Sequence, residues 1–384
     1  MRTGVLCTNQ LDKGNSMIRK SIISLWIIAA FVFSCSASDN LLILFSYNNK
    51  FGYVDKNLDI VLNPVYEKAE HFSKRGFSIV RFDDTNSAII DLQGEKVFER
   101  TVKNIYFIAD DIYSFLDTNG SYTIYRLSNG NVIASGLRTR GYTGSDPYIL
   151  IGFSDDQSSY GYINFYGELL SLNFELRKYS YPFYEGIAVI TKGNWEYSLI
   201  DLKGNEISSL RFYRLGQKYS EGLIPAQTED MTTGYINRVG LFEFKIPFIV
   251  GEQPAATDFN EGFALIKIEQ NPDTWVVINR KGKIVSHKLE VDVAYGFIEG
   301  LSIVSKFNDS KNKNLFGYVN TSGDFLIPPV LERCDNFKDG YARIVYNGRE
   351  GLLDEKGRVF WSDLLINGRK KGEQFKINNH TEYN

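Results

Sequence analysis

FGYVNTSGDFLIPPV, residues 316–330, is written almost a second time 265 residues upstream, where residues 51–65 read FGYVDKNLDIVLNPV. Seven of the fifteen positions are identical. Working outward from this pair uncovers a series. FGYVDKNLDIV at 51, SAIIDLQGEKV at 87, TIYRLSNGNVI at 123, YGYINFYGELL at 160, YSLIDLKGNEI at 197, TGYINRVGLFE at 233, WVVINRKGKIV at 275, FGYVNTSGDFL at 316 and EGLLDEKGRVF at 350 are nine copies of one phrase. The fifth residue of each falls at 55, 91, 127, 164, 201, 237, 279, 320 and 354, a period of 34–42 residues. The two widest intervals contain the polar insertions NPDT at 271 and NDSKNKN at 308, which read as hairpin loops.

Within each copy the first five residues alternate around aromatic or β-branched side chains, as a strand requires. A turn ending in Gly follows. Asp55, Asp91, Asp201 and Asp354, or Asn164, Asn237, Asn279 and Asn320, open it, and Gly94, Gly204, Gly282, Gly323 and Gly357 close it. An Asp or Asn at this place accepts hydrogen bonds from amides two residues on, and glycine supplies the positive φ. A second phrase lies between the turns: YEGIAVI at 184, SEGLIPA at 220, NEGFALI at 260, IEGLSIV at 298 and KDGYARI at 339. This acid–Gly pair launches another strand, which returns through a tight connection such as Asn347-Gly348 into the next aromatic–Gly–Tyr strand. The expected fold is all-β: tandem three-stranded meanders with no helix after the N-terminal segment. A β-propeller-like toroid is favoured over an open β solenoid, although nine units exceed the usual four to eight blades. The apolar start LLILFSY, 41–47, either completes the last blade of a ring or begins a first unit in phase with the others.

These residues resemble the WG or KWG repeat family of bacterial proteins, whose unit is similar to W-G-Y-I-D-x-x-G-K-I-V-I-P-P-x-Y followed by F-x-E-G-x-A-x-V. The resemblance covers about residues 41–360 and is strongest at 316–345, with Pro328 and Pro329, and at 51–80, with Pro64, Val65 and Tyr66. The tryptophan survives as Trp275 and is replaced by Phe51, Tyr160, Tyr197 and Phe316; the copies at 87 and 123 are eroded. The resemblance implies no catalytic residues.

Composition agrees with a pleated architecture. The 384 residues include 27 Phe and 24 Tyr, with 43% hydrophobic residues. The formal charge of −3 offers no field for nucleic acid or an anionic membrane surface. Cys7, Cys35 and Cys334 have neither zinc-site nor disulfide-framework spacing.

The domain plan has three parts: an N-terminal extension and signal-type segment at 1–38, the repeat array at 41–360, and a polar tail at 361–384. From Met17 the chain reads MIRKSIISLWIIAAFVFSCSASDN: two cations, thirteen uncharged and mostly apolar residues, then small residues. That is the plan of a secretory signal, with Met17 a better start than Met1. VFSCS resembles a relaxed bacterial lipobox and makes Cys35 the lipidation candidate. Cleavage after Ala37 or Ser38, or an uncleaved anchor, are the alternatives.

The recurring acids Glu185, Glu221, Glu261, Glu299 and Asp339 are read as local turn residues, since general acid–base chemistry needs two differently tuned carboxyls at one place. His71, His287 and His380 are scattered, and the oxygen-rich loops at 83, 116 and 154 lack the full calcium-loop pattern. No phosphate loop, nucleophile elbow or zinc-protease motif is present. No catalytic residue, cofactor or metal is therefore expected. Trp195, Trp275 and Trp361, with many tyrosines, are candidates for a face binding protein or carbohydrate, although aromatics in strands mostly serve packing. The expectation is an exported, envelope-anchored lipoprotein acting as a binding or scaffold module, without nucleic acid and with the membrane reached only through the N-terminal segment or its lipid. The alternatives are secretion, an enzyme with a pocket at a central channel, and a purely structural envelope component.

Overall fold

The alternation read from the sequence is realised as strands through most of the chain. A computed structural model describes residues 42–98, 102, 104–153, 160–192, 196–247 and 255–376. The segment 1–38 with Cys35, the loop at 154–159, Trp195, His380 and the last residues of the tail lie outside the described residues. Eight antiparallel sheets follow one another along the described chain. The sheet at 187–245 holds two copies joined at one pair, Tyr197 opposite Phe212, so nine copies are present in the described residues.

The eighth copy shows the unit in full. Val293–Ile298, Leu301–Asn308, Lys313–Asn320 and Phe325–Leu331 lie side by side in chain order. The middle two pair without interruption from Leu301 opposite Asn320 to Asn308 opposite Lys313. Here the unit has four strands, not three. The opening strand was missed because Gly296 and a register irregularity between Ala294 and Phe297 break its alternation. The sheets are also out of phase with the written repeat. The tight hairpin at Asn347-Gly348, with φ of 49° and 71°, ties the acid–Gly strand to the aromatic–Gly–Tyr strand that follows it. A sequence copy such as 316–345 therefore begins in one sheet and ends in the next.

That offset explains the repeated residues. The tyrosine of each Gly–Tyr pair is buried and donates its hydroxyl into the next sheet: Tyr53 to the Glu70 carbonyl at 2.7 Å, Tyr162 to Tyr181 at 2.6 Å, Tyr235 to Thr257 at 2.7 Å and Tyr318 to Asp335 at 2.6 Å. Its ring packs on the phenylalanine of that next sheet, with centroids 4.7 Å apart for Tyr162 and Phe183 and 5.1 Å for Tyr318 and Phe337. The glycine before it is required by contact: a Cβ on Gly317 would stand 2.4 Å from the Ile327 carbonyl oxygen, and one on Gly234 2.4 Å from that of Phe244.

The series closes on itself. Ile43–Tyr47 pairs with Lys50–Val54 in its own sheet, so it begins the first unit and adds no strand to the last. Ile43, Phe45, Val54 and Leu58 pack instead against Leu352, Phe360 and Leu365 of the chain's end. Arg343 of the ninth copy lies 4.7 Å from the centroid of the Phe51 ring, and Lys338 Nζ donates to the Phe72 carbonyl at 3.2 Å. The described residues between 42 and 376 thus form one nearly all-β, propeller-like ring whose first and last copies meet through side chains.

Two expectations change at the C-terminus. The chain does contain a helix, Ser362–Ile366, and the stretch after Trp361 does not leave the fold as a solvated tail. Leu365 is buried in the joint between first and last copies, Glu373–Gln374 pairs with Val359 and Arg358, and Lys370 forms an ion pair with Asp59 of the first copy. The apolar run Leu364, Leu365 and Ile366 supplies what the ring lacks at its closure.

Candidate functional site

Both classes of recurrent polar residue lie at the same end of the strands, because each copy passes from its acid–Gly turn along one strand, through a hairpin and back to its Asx turn. In the Asx turns, Asp91 Oδ1 accepts the amides of Gln93 and Glu95 at 2.9 Å each, and Gly94 has φ of 82°. Asp201 accepts those of Lys203 and Asn205 at 2.9 and 2.8 Å beside Gly204, φ 83°. Asp354 accepts those of Lys356 and Arg358 at 3.0 and 2.8 Å and the Arg358 guanidinium at 2.7 Å, beside Gly357. Asn279 and Asn320 do the same for the turns closed by Gly282 and Gly323. These glycines also touch the preceding copy: a Cβ on Gly282 would meet Phe244 at 2.6 Å and one on Gly204 would meet Leu172 at 2.6 Å.

The acid–Gly pairs work differently from the local turn expected of them. Each acid sits at a left-handed φ, 55° at Glu185, 53° at Glu221, 55° at Glu261, 52° at Glu299 and 57° at Asp339. The side chain then points into the neighbouring copy. The Glu185 carboxylate accepts the amides of Glu221 and Gly222 at 2.7 Å each. Glu221 accepts that of Gly262 at 3.1 Å, Glu261 those of Glu299 and Gly300 at 2.8 and 2.6 Å, and Glu299 those of Asp339 and Gly340 at 2.7 and 2.9 Å. Ser145 Oγ and Asp146 Oδ2 begin the series, receiving the amides of Glu185 and Gly186 at 2.9 and 2.8 Å. The carboxylates of Glu185, Glu261 and Glu299 thus each clasp two successive amides of the next copy, and that of Glu221 clasps one, a charge-assisted joint between sheets.

Arginines reinforce the joint. Arg238 Nη2 donates to Glu185 Oε2 at 2.7 Å and Arg280 lies 3.6 Å from Glu221 Oε2. Burial raises the pKa of Glu185, but Arg238 and the amides of Gly222 and Glu221 outweigh it and hold the carboxyl below its ordinary range. The eroded third copy uses another link: buried Asp111 binds Arg126 at 3.0 Å and Ser128, and Arg126 reaches the Phe165 carbonyl at 3.1 Å.

A different set of residues lines a cavity of about 930 Å³. Tyr181, Gln217, Asp258, Tyr295 and Asn336 come from the opening segments of five consecutive copies, which places the cavity on the axis of the ring. Tyr181, Gln217 and Tyr295 each lie six residues before a strand of their copy, the one that runs into the Gly–Tyr-type strand, as do Tyr106 and Tyr142. Tyr295 is 47% exposed. Arg140 stacks between the rings of Tyr106 and Tyr142, 4.8 and 5.0 Å from their centroids. Asp258 pairs with Lys218 at 3.6 Å; burial raises its pKa, with Lys218 opposing. Gln227 is buried, and its Oε1 has no hydrogen-bond partner.

Neither of the described tryptophans lines this wall. Trp275 is buried in a core cluster, and Trp361 is half-buried beneath Arg349 at 4.4 Å. The axial tyrosines escaped the sequence reading because they precede the acid–Gly turn, Tyr295 in an irregular opening strand and Tyr181 outside any strand; their signal is the fixed offset from the acid–Gly pair. His71 is half-buried near Lys338 and Arg343. Desolvation, then these two cations, push its pKa down to about 4, and the imidazole is neutral at pH 7. Among the described residues no group of three or more His, Cys, Asp or Glu side chains is placed to hold a metal ion.

Comparison with known proteins agrees with this architecture. The family model of the WG containing repeat matches residues 51–85, 275–309 and 316–349. A crystal structure of a eukaryotic initiation factor superposes with a TM-score of 0.57 at 10% identity, over 87% of this chain and 96% of that one. The computationally designed Ika8 protein superposes at 0.44 with 16% identity, over 74% and 94% of the two chains. BamB from Moraxella catarrhalis gives 0.39 with 9% identity, over 70% and 94%. The first likeness concerns the fold alone. No functionally curated protein matches the sequence. Three of the nine copies thus contain the WG containing repeat, at residues 51–85, 275–309 and 316–349.

Proposed function

We propose that this protein is an exported binding or scaffold module, held at the bacterial cell envelope through a lipid on Cys35, whose ring offers a fixed polar and aromatic cavity to a macromolecule. The division of labour among its polar groups carries this reading. The recurrent acids Glu185, Glu221, Glu261 and Glu299 are consumed in joints between copies, whereas a mixed set of side chains, Tyr181, Gln217, Asp258, Tyr295 and Asn336, gathers on the axis. Among the described residues lining the cavity Asp258 is the single carboxylate, while acid–base catalysis calls for two groups tuned apart. A mostly preformed concave site with a few polar groups suits binding. The inserted hairpin loops around 271–273 and 309–312 lie at the other end of the strands from the clasps, where they vary without disturbing the joints.

Intact mass of the native protein, extracted in detergent, tests the anchor: a chain starting at Cys35 with a lipid increment is expected, and a chain cleaved after Ala37 or Ser38 without lipid refutes it. Photo-crosslinking in whole cells tests the binding role. Probes at Tyr295 and Asn312 should give discrete adducts that a probe at Tyr166, 85% exposed on an Asx turn, does not. Equal smears from all three positions would refute a dedicated binding site.

A further inference from the structure

Resting on the binding role proposed above, we infer that the axial cavity is a carbohydrate site, taking an uncharged glycan of a few sugar units. Sugars present an apolar face of C–H groups edged by hydroxyls, so a complementary site needs aromatic platforms beside groups that both donate and accept hydrogen bonds. Tyr295, exposed, and Tyr181, half-buried, supply rings with polar tips. Gln217 and Asn336 are exposed amides on the same wall, each carrying donor and acceptor together.

One further feature favours a neutral hydroxyl-rich ligand. Lys218 and Asp258 neutralise one another at 3.6 Å yet keep spare donor and acceptor capacity, as two adjacent hydroxyls require. A peptide is the less suitable occupant, because the exposed side chains of the described lining are Tyr295, the amides Gln217 and Asn336 and the guanidinium of Arg214, without exposed leucine, isoleucine or methionine pockets. The volume of about 930 Å³ lies within the range of small-molecule and cofactor sites.

The test is titration calorimetry of the purified mature chain with chitohexaose, cellohexaose and maltohexaose, and with unstructured 12-residue peptides of mixed sequence. At least one hexasaccharide should bind with a dissociation constant of about 10 μM to 1 mM. Tyr295→Ala and Gln217→Ala, both at exposed positions of the lining, should each weaken it about tenfold or more while Tyr166→Ala leaves it unchanged. Circular dichroism melts establish that the variants are folded. Binding of none of the three sugars, or binding indifferent to Tyr295, overturns the glycan assignment. Peptide binding that depends on Tyr295 in the absence of sugar binding overturns it too, while leaving the binding role intact. Absence of both sugar and peptide binding, with no crosslinks in cells, would take the binding role with it.

Discussion

Replacing Glu185 by Gln tests the clasp at its best-furnished joint. The native carboxylate accepts two amides at 2.7 Å and one guanidinium N–H at 2.7 Å, on a side chain 24% exposed. Hydrogen bonds to a charged group contribute about 1.5–3 kcal/mol each, so the two amides together represent about 3–6 kcal/mol. Glutamine keeps one carbonyl oxygen and turns an NH2 group towards the other amide, so about half is lost, on the order of 2–3 kcal/mol. Unfolding entropy of about 2.1 cal/mol/K per residue over residues 40–384 amounts to roughly 0.7 kcal/mol per degree, and the melting temperature should fall by about 3–4 °C. Differential scanning calorimetry reads this directly, with Glu175→Gln as control at a side chain 89% exposed. Hydrogen exchange should also lose protection at the amides of Glu221 and Gly222. A melting temperature within 1 °C of the control, with those amides still protected, would refute the inter-copy clasp as a source of stability.

Other outcomes follow from the same geometry. Tyr318→Phe keeps the buried ring but orphans the Asp335 carbonyl, costing about 1–2 kcal/mol in urea unfolding; an unchanged midpoint would contradict the hydroxyl's bridging role. Gly317→Ala drives a Cβ to 2.4 Å from the Ile327 oxygen and should cost about 2–3 kcal/mol or abolish soluble expression, whereas Gly300→Ala, with nothing within 4 Å, should cost about 1 kcal/mol through its φ of 76°. Leu352→Ala, in the closing joint, should lose about 2–5 kcal/mol and expose amides of residues 43–47 to exchange; protection there unchanged would argue against closure by this cluster. His71 has a depressed pKa in the folded state, so its contribution is complete above its ordinary value of 6.5 and is lost as pH falls towards 4. A His71→Asn variant should therefore lose stability less steeply over that window in calorimetry, and a parallel decline would rule out His71 as the titrating group.

The sequence by itself determined the repeat, its period and the hairpin strands on either side of each tight turn. Alternating aromatic and β-branched residues, Asx residues four positions before a returning backbone, and Asn347-Gly348 are local signals, because side-chain direction, turn hydrogen bonds and φ preferences are settled within a few residues. The turns of Asp91, Asp201 and Asp354 with their glycines were legible for that reason. What only the tertiary structure decided was where each unit is cut and what joins it to its neighbour. The acid–Gly carboxylates, the Gly–Tyr hydroxyls and the glycines that press on another copy all act across a gap that no local pattern reveals. Recurrence showed that these residues have a repeated task, but a repeated turn and a repeated joint leave the same trace in sequence. The closing contact of Phe45 with the segment ending at Leu365, and the gathering of Tyr181, Asp258 and Tyr295 on one axis, depend on the rotation accumulated from copy to copy. Rotation of that kind is set by side-chain packing between sheets, which only the assembled ring contains.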